Sequence, residues 1–285
     1  MMSTYYPTHD IWTLLSSQLH QASFPYDWID NYLDLLGSNV IAFWPLFESN
    51  PAAAADVTDI GPRGHHIDNT TAFDDPPKFR GHMLAYTFNG TDEGLNLADH
   101  SDFTFGNGTA DSAFSVGCWF KAESSAAAIE HLICRIDKNA TNNEWTLNLD
   151  AAGKINFDVY DNSVPAYEGR LYNTAITDNR WYFAVGTYDG TAGATASTGI
   201  NIYLALASES SISAVDDTAH DNGVYVAMED KAVLTTVGYC ADLAGAPGEW
   251  FQGEIWGPFV VAEELSAAQV TALFLAGRKL LGFAE

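Results

Sequence analysis

Residues 251–282, FQGEIWGPFVVAEELSAAQVTALFLAGRKLLG, carry the strongest structural signal in the chain. The stretch opens with a run at 254–261 that is typical of a β-strand. After a polar turn, Ser266 and Gln269 have the spacing of a capping box, which marks the start of a helix. Apolar residues then recur at helical spacing, and we expect Gly277 to be the C′ glycine that ends this helix. The sequence therefore predicts a closing strand, a turn and one capped C-terminal helix.

Upstream of this stretch, the chain reads as short strands separated by turn signals. Residues 145–150 and 155–160 are joined by a four-residue turn, which predicts a β-hairpin. Residues 50–75 have the composition of a long loop. Many short strands with one terminal helix favour a mainly β protein, built as a two-sheet antiparallel sandwich. Further strands are predicted at 84–88, 114–121, 181–188, 200–206 and 233–238.

Residues 1–37 differ from the rest because they predict two short amphipathic helices. The second helix should follow Asp27 and end at Gly37. Helices this short cannot bury their apolar faces alone, so we expect this helical N-terminal arm to dock on the β domain or on another molecule. Its aromatic composition favours an interface with another subunit. The candidate interface residues are Trp12, Leu15, Trp28 and Tyr32.

The composition limits the classes of partner. The 285-residue chain has 12 Lys plus Arg against 37 Asp plus Glu, a formal net charge of −25. Because so acidic a chain repels phosphate groups, we expect neither nucleic acid nor a membrane surface as a partner. The sequence has no signal-peptide pattern and no apolar run long enough to span a membrane. Three cysteines do not make a disulfide framework, and we expect Cys118 and Cys134 to lie in apolar core strands.

Five segments, in the same order, resemble the concanavalin A-like jelly rolls of the laminin-G-like and pentraxin-like type. The C-terminal stretch has that family's closing pattern, including Phe251, Gly253 and Ser266. The resemblance implies one jelly-roll domain over 38–285, preceded by the arm 1–37. The other four segments are VIAFWPLFE at 40–48, FNGTD at 88–92, FSVGCW at 114–119 and WYFAVGTYDG at 181–190.

The sequence gives no support for catalysis. Glucanases of this fold use an E-x-D-x-x-E arrangement of paired carboxylates, which does not occur here. The motifs G-x-S-x-G and H-E-x-x-H do not occur either. We expect the pair His65-His66 to be solvated in a loop rather than to bind a metal ion. The sequence therefore predicts a protein that is not an enzyme.

The resemblance also implies a place for calcium, a cation that binds several oxygen ligands. The matching candidate ligands are Asp137 and Asp242. The family pattern is altered at Cys240, which stands where relatives carry glutamate, and at Trp256, which stands where laminin-G-like relatives often carry an acidic residue. We therefore expect no obligatory cofactor and retain calcium at these two aspartates as a hypothesis.

Polar residues alternate with the apolar residues of the predicted hairpin and must share its opposite face. Their amides, carboxylates and one aromatic ring are groups that bind sugars, which makes this face a candidate site for a small polar ligand. The alternative is an ordinary solvated face, since antiparallel sheets often leave one side wet. The candidate ligand-binding residues are Asn148, Asp150, Asn156, Asp158 and Tyr160.

Domains that resemble this one occur in bacterial surface proteins and in structural proteins of tailed phages. The leading hypothesis is a non-enzymatic virion structural or decoration protein on the capsid or tail surface. It would assemble with other protein subunits as a homo-oligomer and contact host or environmental glycans. One alternative is a free carbohydrate-binding lectin or bacterial adhesin, extracellular or on the cell surface. Another alternative is a glycan-cleaving enzyme.

Overall fold

The structure is a computed structural model that describes residues 27–48, 56–75, 77–81, 83–125, 128–137, 142–213, 217–241 and 249–283. For residues 27–30 and 83 it describes the backbone only. The candidate residues Trp12, Leu15 and Asp242 and the side chain of Trp28 therefore lie outside the described part. Within that part, neither helix has the length and apolar character needed to cross a membrane.

The described elements alternate between strands and turns until the last helix. In chain order they are α1 (Asp27–Leu36), β1 (Val40–Phe43), β2 (Asp56–Val57), β3 (Ile67–Asn69), β4 (Lys78–Arg80), β5 (Met83–Asn89), β6 (Leu95–Leu97), β7 (Phe114–Ala122), β8 (Glu130–Ile136), β9 (Asn143–Leu149), β10 (Ile155–Asp161), β11 (Ala166–Tyr172), β12 (Tyr182–Tyr188), β13 (Ile200–Leu206), β14 (Asp217–Asp221), β15 (Thr235–Val237), β16 (Gln252–Val261) and α2 (Ala267–Leu280).

These strands form two antiparallel sheets, which confirms the predicted mainly β, two-sheet jelly-roll sandwich. In the part of the chain described, one sheet has seven strands in the order β13-β12-β7-β16-β5-β4, with β1 also paired to β16. The other has nine strands in the order β14-β11-β10-β9-β8-β15-β6-β3-β2. The predicted hairpin is the β9–β10 pair. The expected long loop at 50–75 was wrong in part, because β2 and β3 pair with each other inside it.

The core lies between the two sheets and consists largely of inward-facing aromatic and aliphatic side chains. Phe114 from β7 stacks on Phe105 with ring centroids 4.1 Å apart and meets Phe157 from β10 at 5.6 Å. Trp145 from β9 packs in the same cluster. Cys118 is fully buried there, so its predicted core position is confirmed.

The outer face of the seven-stranded sheet is also apolar, and we call it the helix-covered face. Trp119 from β7 stacks on Phe274 from α2 with ring centroids 5.6 Å apart. It also packs against Phe183 from β12 at 4.9 Å. One side of α2 therefore covers this face of the sheet with aromatic contacts. The face is made by Trp119, Phe183, Val185, Trp256 and Phe259.

The C-terminal helix begins as predicted and ends later than predicted. Ser266 and Gln269 form the expected capping box. The helix continues through Gly277 to Leu280, so the prediction of Gly277 as the terminating residue was wrong. A Cβ at Gly277 would lie 2.2 Å from Nε1 of Trp119, which means that this glycine permits close packing against the sheet. Gly282, with φ of +81°, instead follows the end of the helix.

The second predicted helix of the arm is α1, and it packs on the same domain. Tyr32 and Leu36 are fully buried in the apolar cluster of the helix-covered face. The ring of Tyr32 lies 5.2 Å from that of Phe43 and 5.5 Å from that of Trp256. Of the two docking modes left open by the sequence, α1 uses docking within the chain. Tyr32, which we assigned to a subunit interface, has no exposed surface.

Candidate functional site

The outer face of the nine-stranded sheet is polar, and we call it the polar face. Its residues project from β8, β9 and β10 on the side opposite the core. The strand register sets Asn148 opposite Asn156 and Thr146 opposite Asp158. Five of the six residues are buried, and Tyr160 is half-buried. The polar face consists of His131, Thr146, Asn148, Asn156, Asp158 and Tyr160.

Asp158 is the centre of a hydrogen-bond network on this face. Asn156 donates from Nδ2 to Oδ2 of Asp158 and to Oδ1 of Asn148, the second bond measuring 3.3 Å. The hydroxyl of Tyr160 donates to the same Oδ2 atom at 3.4 Å. The acceptors Oδ1 of Asn156 and Oδ1 of Asp158 have no hydrogen-bond partner among the described residues. The network therefore leaves two buried oxygens unpaired.

Burial governs the charge of Asp158. It raises the pKa of this carboxyl from its ordinary 3.8 to about 7, against the opposing effect of the hydrogen bonds from Asn156 and Tyr160 and of the charge on His131. Burial also raises the pKa of Tyr160 well above its ordinary range. Below neutral pH, Asp158 is therefore protonated and can donate as well as accept a hydrogen bond.

An aromatic rim borders the polar face at β11 and β14. The ring of Tyr167 lies 5.9 Å from that of Tyr160 and 4.9 Å from that of His220. Nδ1 of His220 is 3.3 Å from Oδ1 of Asp158, and the His220 side chain is 32% exposed. The rim therefore joins the buried carboxyl to the surface of the protein.

Gly169 makes room for this arrangement. It pairs with Asp158 across β10 and β11, and with His220 across β11 and β14. A Cβ at Gly169 would lie 1.8 Å from Oδ1 of Asp158. Any larger residue would displace the carboxyl, so the glycine fixes where Asp158 lies. The sequence did not predict Tyr167, Gly169 and His220 as site residues, because neither β11 nor β14 has a regular strand pattern.

Asp150 does not join the other four predicted ligand-binding residues. The strand β9 ends at Leu149, and Asp150 begins the turn. Its Oδ1 accepts the backbone N–H groups of Ala152 at 2.8 Å and Lys154 at 2.9 Å. The alternation on which we placed it stops with the strand. Asp150 therefore stabilises the hairpin turn.

The calcium role of Asp137 stays a prediction, because the other candidate ligand, Asp242, lies outside the described residues. This residue is buried at the end of β8, and its backbone N–H donates to Oδ1 of Asn143 at 3.0 Å. Its β-bridge partner is Ala241, which follows the buried thiol of Cys240. Among the described residues, Asp137 belongs to neither group of side chains with metal-ligand spacing.

One of those two groups is His65, His100 and Asp102. His65 was expected to be solvated, but its side chain is only 11% exposed and its Nε2 lies 2.8 Å from Oδ2 of Asp102. Arg63 binds the same oxygen at 2.9 Å. Because a guanidinium already neutralises this carboxylate, the group has the character of a surface ion pair.

Cys134 is buried, but apart from the core between the two sheets. Its strand, β8, faces the core with Leu132 and Ile133, whereas the thiol of Cys134 lies 3.0 Å from Oγ1 of Thr236. The strand has an irregular register between His131 and Ile133, so Leu132 and Ile133 face the core between the sheets and Cys134 faces the other side. Cys134 is fully buried in its apolar strand, as predicted, in a separate small cluster with Ile136 and Cys240 that adjoins the polar face.

Comparison with solved structures finds the same fold in bacterial toxin domains. The botulinum neurotoxin serotype D ligand-binding domain, in complex with N-acetylneuraminic acid, aligns with a TM-score of 0.55 at 11% identity over 86% of this chain and 52% of that one. The binding domain of botulinum neurotoxin serotype G aligns with a TM-score of 0.55 at 12% identity over 84% and 51%. The chain thus spans about half the length of these domains, and the likeness is one of fold.

Comparison with curated proteins finds no match. A family model, however, covers more than half of the chain. Residues 89–243 match the model described as the concanavalin A-like lectin/glucanases superfamily, laminin-G type 3. This range contains β7 to β15 and with them the whole polar face and its rim. The chain belongs to the concanavalin A-like lectin/glucanases superfamily.

Proposed function

We propose that this chain is a non-enzymatic, lectin-like protein that binds glycans at the rim of the polar face. The observation that carries the proposal is a pair of buried acceptors without a hydrogen bond, Oδ1 of Asn156 and Oδ1 of Asp158, the second of which has Nδ1 of His220 at 3.3 Å. Leaving a buried polar atom without a partner costs about 1–3 kcal/mol. The hydroxyl groups of a sugar are donors that would satisfy these oxygens.

The aromatic rim supplies the second half of a sugar site. Binding sites for small polar ligands combine an apolar wall with a few convergent polar groups. Tyr160, Tyr167 and His220 form such a wall, with neighbouring ring centroids 4.9 and 5.9 Å apart. The two acceptors have almost no exposed surface, so we expect the rim to move when a hydroxyl group reaches them.

The non-enzymatic part of the proposal rests on the carboxylates. A glycosidase of the usual kind places two carboxyl groups on either side of the scissile bond. The polar face, as defined by its six residues, contributes Asp158 alone. The similar toxin domains described above are named as binding domains, which supports the same interpretation.

The proposal places this lectin-like domain on a virion surface, as a structural or decoration protein assembled with other subunits. This part rests on the resemblance of the sequence to structural proteins of tailed phages and on the aromatic composition of residues 1–26. Because α1 packs within the chain, removing residues 1–26 while keeping α1 is the appropriate truncation. We expect the truncated protein to stay folded and to lose self-association in light scattering. Unchanged association would remove the support for a role of this segment.

A glycan array tests the binding function. We expect wild-type protein to bind at least one class of glycan, and Asp158→Ala and Tyr167→Ala to lose that binding. The matched control is Asp34→Ala, because Asp34 is exposed on α1, beneath the opposite sheet. Circular dichroism establishes that each variant is folded. Equal binding by wild type and Asp158→Ala would refute the assigned site, and release of sugar products would refute the non-enzymatic assignment.

A further inference from the structure

Four side chains of metal-ligand type meet at the β8 edge of the polar face, and His131 is the one residue that belongs to both the face and this cluster. His131 and Cys134 project from β8, and Cys240 and Glu249 come from the segment between β15 and β16. The two thiols are fully buried and His131 is 2% exposed. The Glu249 side chain is 27% exposed and forms the outer edge of the cluster.

Three of the four ligand atoms lie close enough to share one ion. The nitrogen of His131, the sulfur of Cys240 and a carboxylate oxygen of Glu249 all lie within 4.8 Å of one another. Nε2 of His131 is 2.9 Å from Oε2 of Glu249. The thiol of Cys134 lies outside this group but neighbours both Cys240 and His131, so it would have to move to become the fourth ligand. In a tetrahedral zinc site with bonds of about 2.0–2.3 Å, ligand atoms are separated by roughly 3.3–3.8 Å, so small movements would close the site.

Neighbouring groups hold the imidazole in the orientation that a metal ion requires. Nδ1 of His131 is hydrogen-bonded to Oγ1 of Thr146 at 2.9 Å, which leaves Nε2 directed at Glu249 and Cys240. Histidine ligands of metal ions typically use their second ring nitrogen in this way. The ring is therefore oriented by a residue outside the cluster.

The thiols are held in a similar way. Oγ1 of Thr236 lies 3.0 Å from Sγ of Cys134 and donates to the backbone oxygen of Tyr239 at 2.7 Å. The thiol of Cys240 lies 3.4 Å from the backbone oxygen of Ala241. These contacts hold the two buried sulfurs in place.

We propose that His131, Cys134, Cys240 and Glu249 bind one divalent transition-metal ion of the zinc class. Two sulfurs, one nitrogen and one oxygen form a four-ligand set of the kind zinc prefers, and they are unsuited to calcium. All four ligands come from the protein, which is the arrangement of a structural site. The ion would tie β8 to the segment that leads from β15 to β16.

Cobalt and zinc binding to reduced, chelator-treated protein tests the proposal. We expect one Co²⁺ per chain, with visible absorption bands of tetrahedral cobalt and a near-ultraviolet band of thiolate ligation. Zn²⁺ should displace the cobalt and raise the melting temperature by about 5 °C when its concentration is a hundredfold above Kd. Ca²⁺ at the same concentration should leave the melting temperature unchanged.

Variants separate this site from binding elsewhere. Cys134→Ser and Cys240→Ser should each weaken metal binding by about a hundredfold or more. Cys118→Ala is the matched control, because Cys118 is a buried free thiol in the core between the sheets. If a cysteine variant fails to fold, Glu249→Gln replaces it, since this side chain is partly exposed and a tenfold weakening is expected.

Three results would overturn the proposal. The first is a cobalt spectrum without thiolate or tetrahedral bands. The second is unchanged metal binding in a folded Cys134→Ser or Glu249→Gln variant. The third is a stable Cys134–Cys240 disulfide in the isolated protein, together with no metal binding once that disulfide has been reduced. Each can be measured on the full chain, by absorption spectroscopy, by titration and by thiol counting.

Discussion

The two outer faces of this sandwich are both largely buried, yet they are built from opposite chemistry. On the helix-covered face, Trp119 and Phe183 from the sheet meet Phe274 from α2. On the polar face, Asn148, Asn156 and Asp158 are 3–6% exposed. The first face is stabilised by removing apolar surface from water. The second is costly to bury unless each polar atom has a partner.

This difference indicates that the helix-covered face stabilises the fold, whereas the polar face is the better candidate for a binding surface. The aromatic contacts of the helix-covered face account for its burial without any ligand. The polar face holds a buried carboxyl with a strongly shifted pKa, and such groups concentrate at binding and active sites. We therefore expect substitutions on the two faces to change stability in opposite directions.

The largest effect should follow from Trp119→Ala. This change removes a fully buried ring between Phe183 and Phe274 and leaves a cavity beneath α2. We expect a loss of about 3–5 kcal/mol in the free energy of unfolding. Urea unfolding followed by circular dichroism measures it. Leu275→Ala is the control, because Leu275 lies on the same helix and is 43% exposed, and a comparable loss there would contradict the assignment of the covered side.

Asp158→Asn should instead stabilise the protein above neutral pH. Burial raises the pKa of Asp158 to about 7, so the folded state holds a proton that the unfolded chain has already released above pH 4. Between pH 4 and 7 the wild-type protein therefore loses stability as pH rises. A shift of roughly 3 units corresponds to as much as about 4 kcal/mol, which the uncharged amide would recover at pH 8.

Urea unfolding of wild type and Asp158→Asn from pH 4 to pH 8 measures this effect. We expect the two curves to converge near pH 4 and to diverge as pH rises, with the variant above. The control is Asp34→Asn, since Asp34 is exposed on α1. A variant that is less stable than wild type at pH 8 would show that the charged carboxylate is favoured on the polar face.

The comparison also marks how far the sequence predicts the structure. Strands with regular alternation, such as β9 and β10, were predicted with their inward and outward sides, because period-two patterns report burial directly. Gly277 was misassigned because glycine both ends helices and permits close contact, and only the position of Trp119 distinguishes the two roles. The apolar run of β8 predicted that Cys134 is buried, but the irregular register of the strand hides on which side of the sheet it lies.

Part of the candidate site was predicted from the sequence, and part was not. Asn148, Asn156, Asp158 and Tyr160 lie together because they share one hairpin. The rim residues Tyr167 and His220 come from β11 and β14, and β14 has a polar sequence with no strand pattern. The cluster of His131, Cys134, Cys240 and Glu249 joins positions more than a hundred residues apart. Contacts of this kind depend on sheet order, which local sequence patterns do not specify.

Glu254 is a second buried carboxylate, and it shows that burial on an outer face does not always raise a carboxyl pKa. Glu254 is 1% exposed and lies on the outer side of β16, at the end of the helix-covered face. Its Oε1 binds Nη2 of Arg80 at 2.6 Å and Nζ of Lys121 at 3.0 Å, and its Oε2 binds Nε of Arg80 at 2.7 Å. Burial raises its pKa, but the two cations outweigh this effect and hold the pKa below its ordinary value. Unlike Asp158, Glu254 is therefore a paired and ionised group.

Glu254→Gln should give the smallest of the three effects and the opposite dependence on pH. Because the folded-state pKa is lowered, the stabilisation by Glu254 is present above the unfolded-state value and is lost as pH falls through the folded-state value. We expect a loss of about 2 kcal/mol at pH 7, since charge-assisted hydrogen bonds to Arg80 and Lys121 are weakened. The difference from wild type should shrink toward zero in acid, as measured by urea unfolding from pH 7 to pH 3.

Glu123→Gln is the control, because Glu123 is exposed just beyond β7. A Glu254→Gln variant as stable as wild type at pH 7 would mean that the cost of desolvating Glu254 cancels the gain from its ion pairs. Glu254 and Asp158 would then differ little in their contribution to stability at that pH.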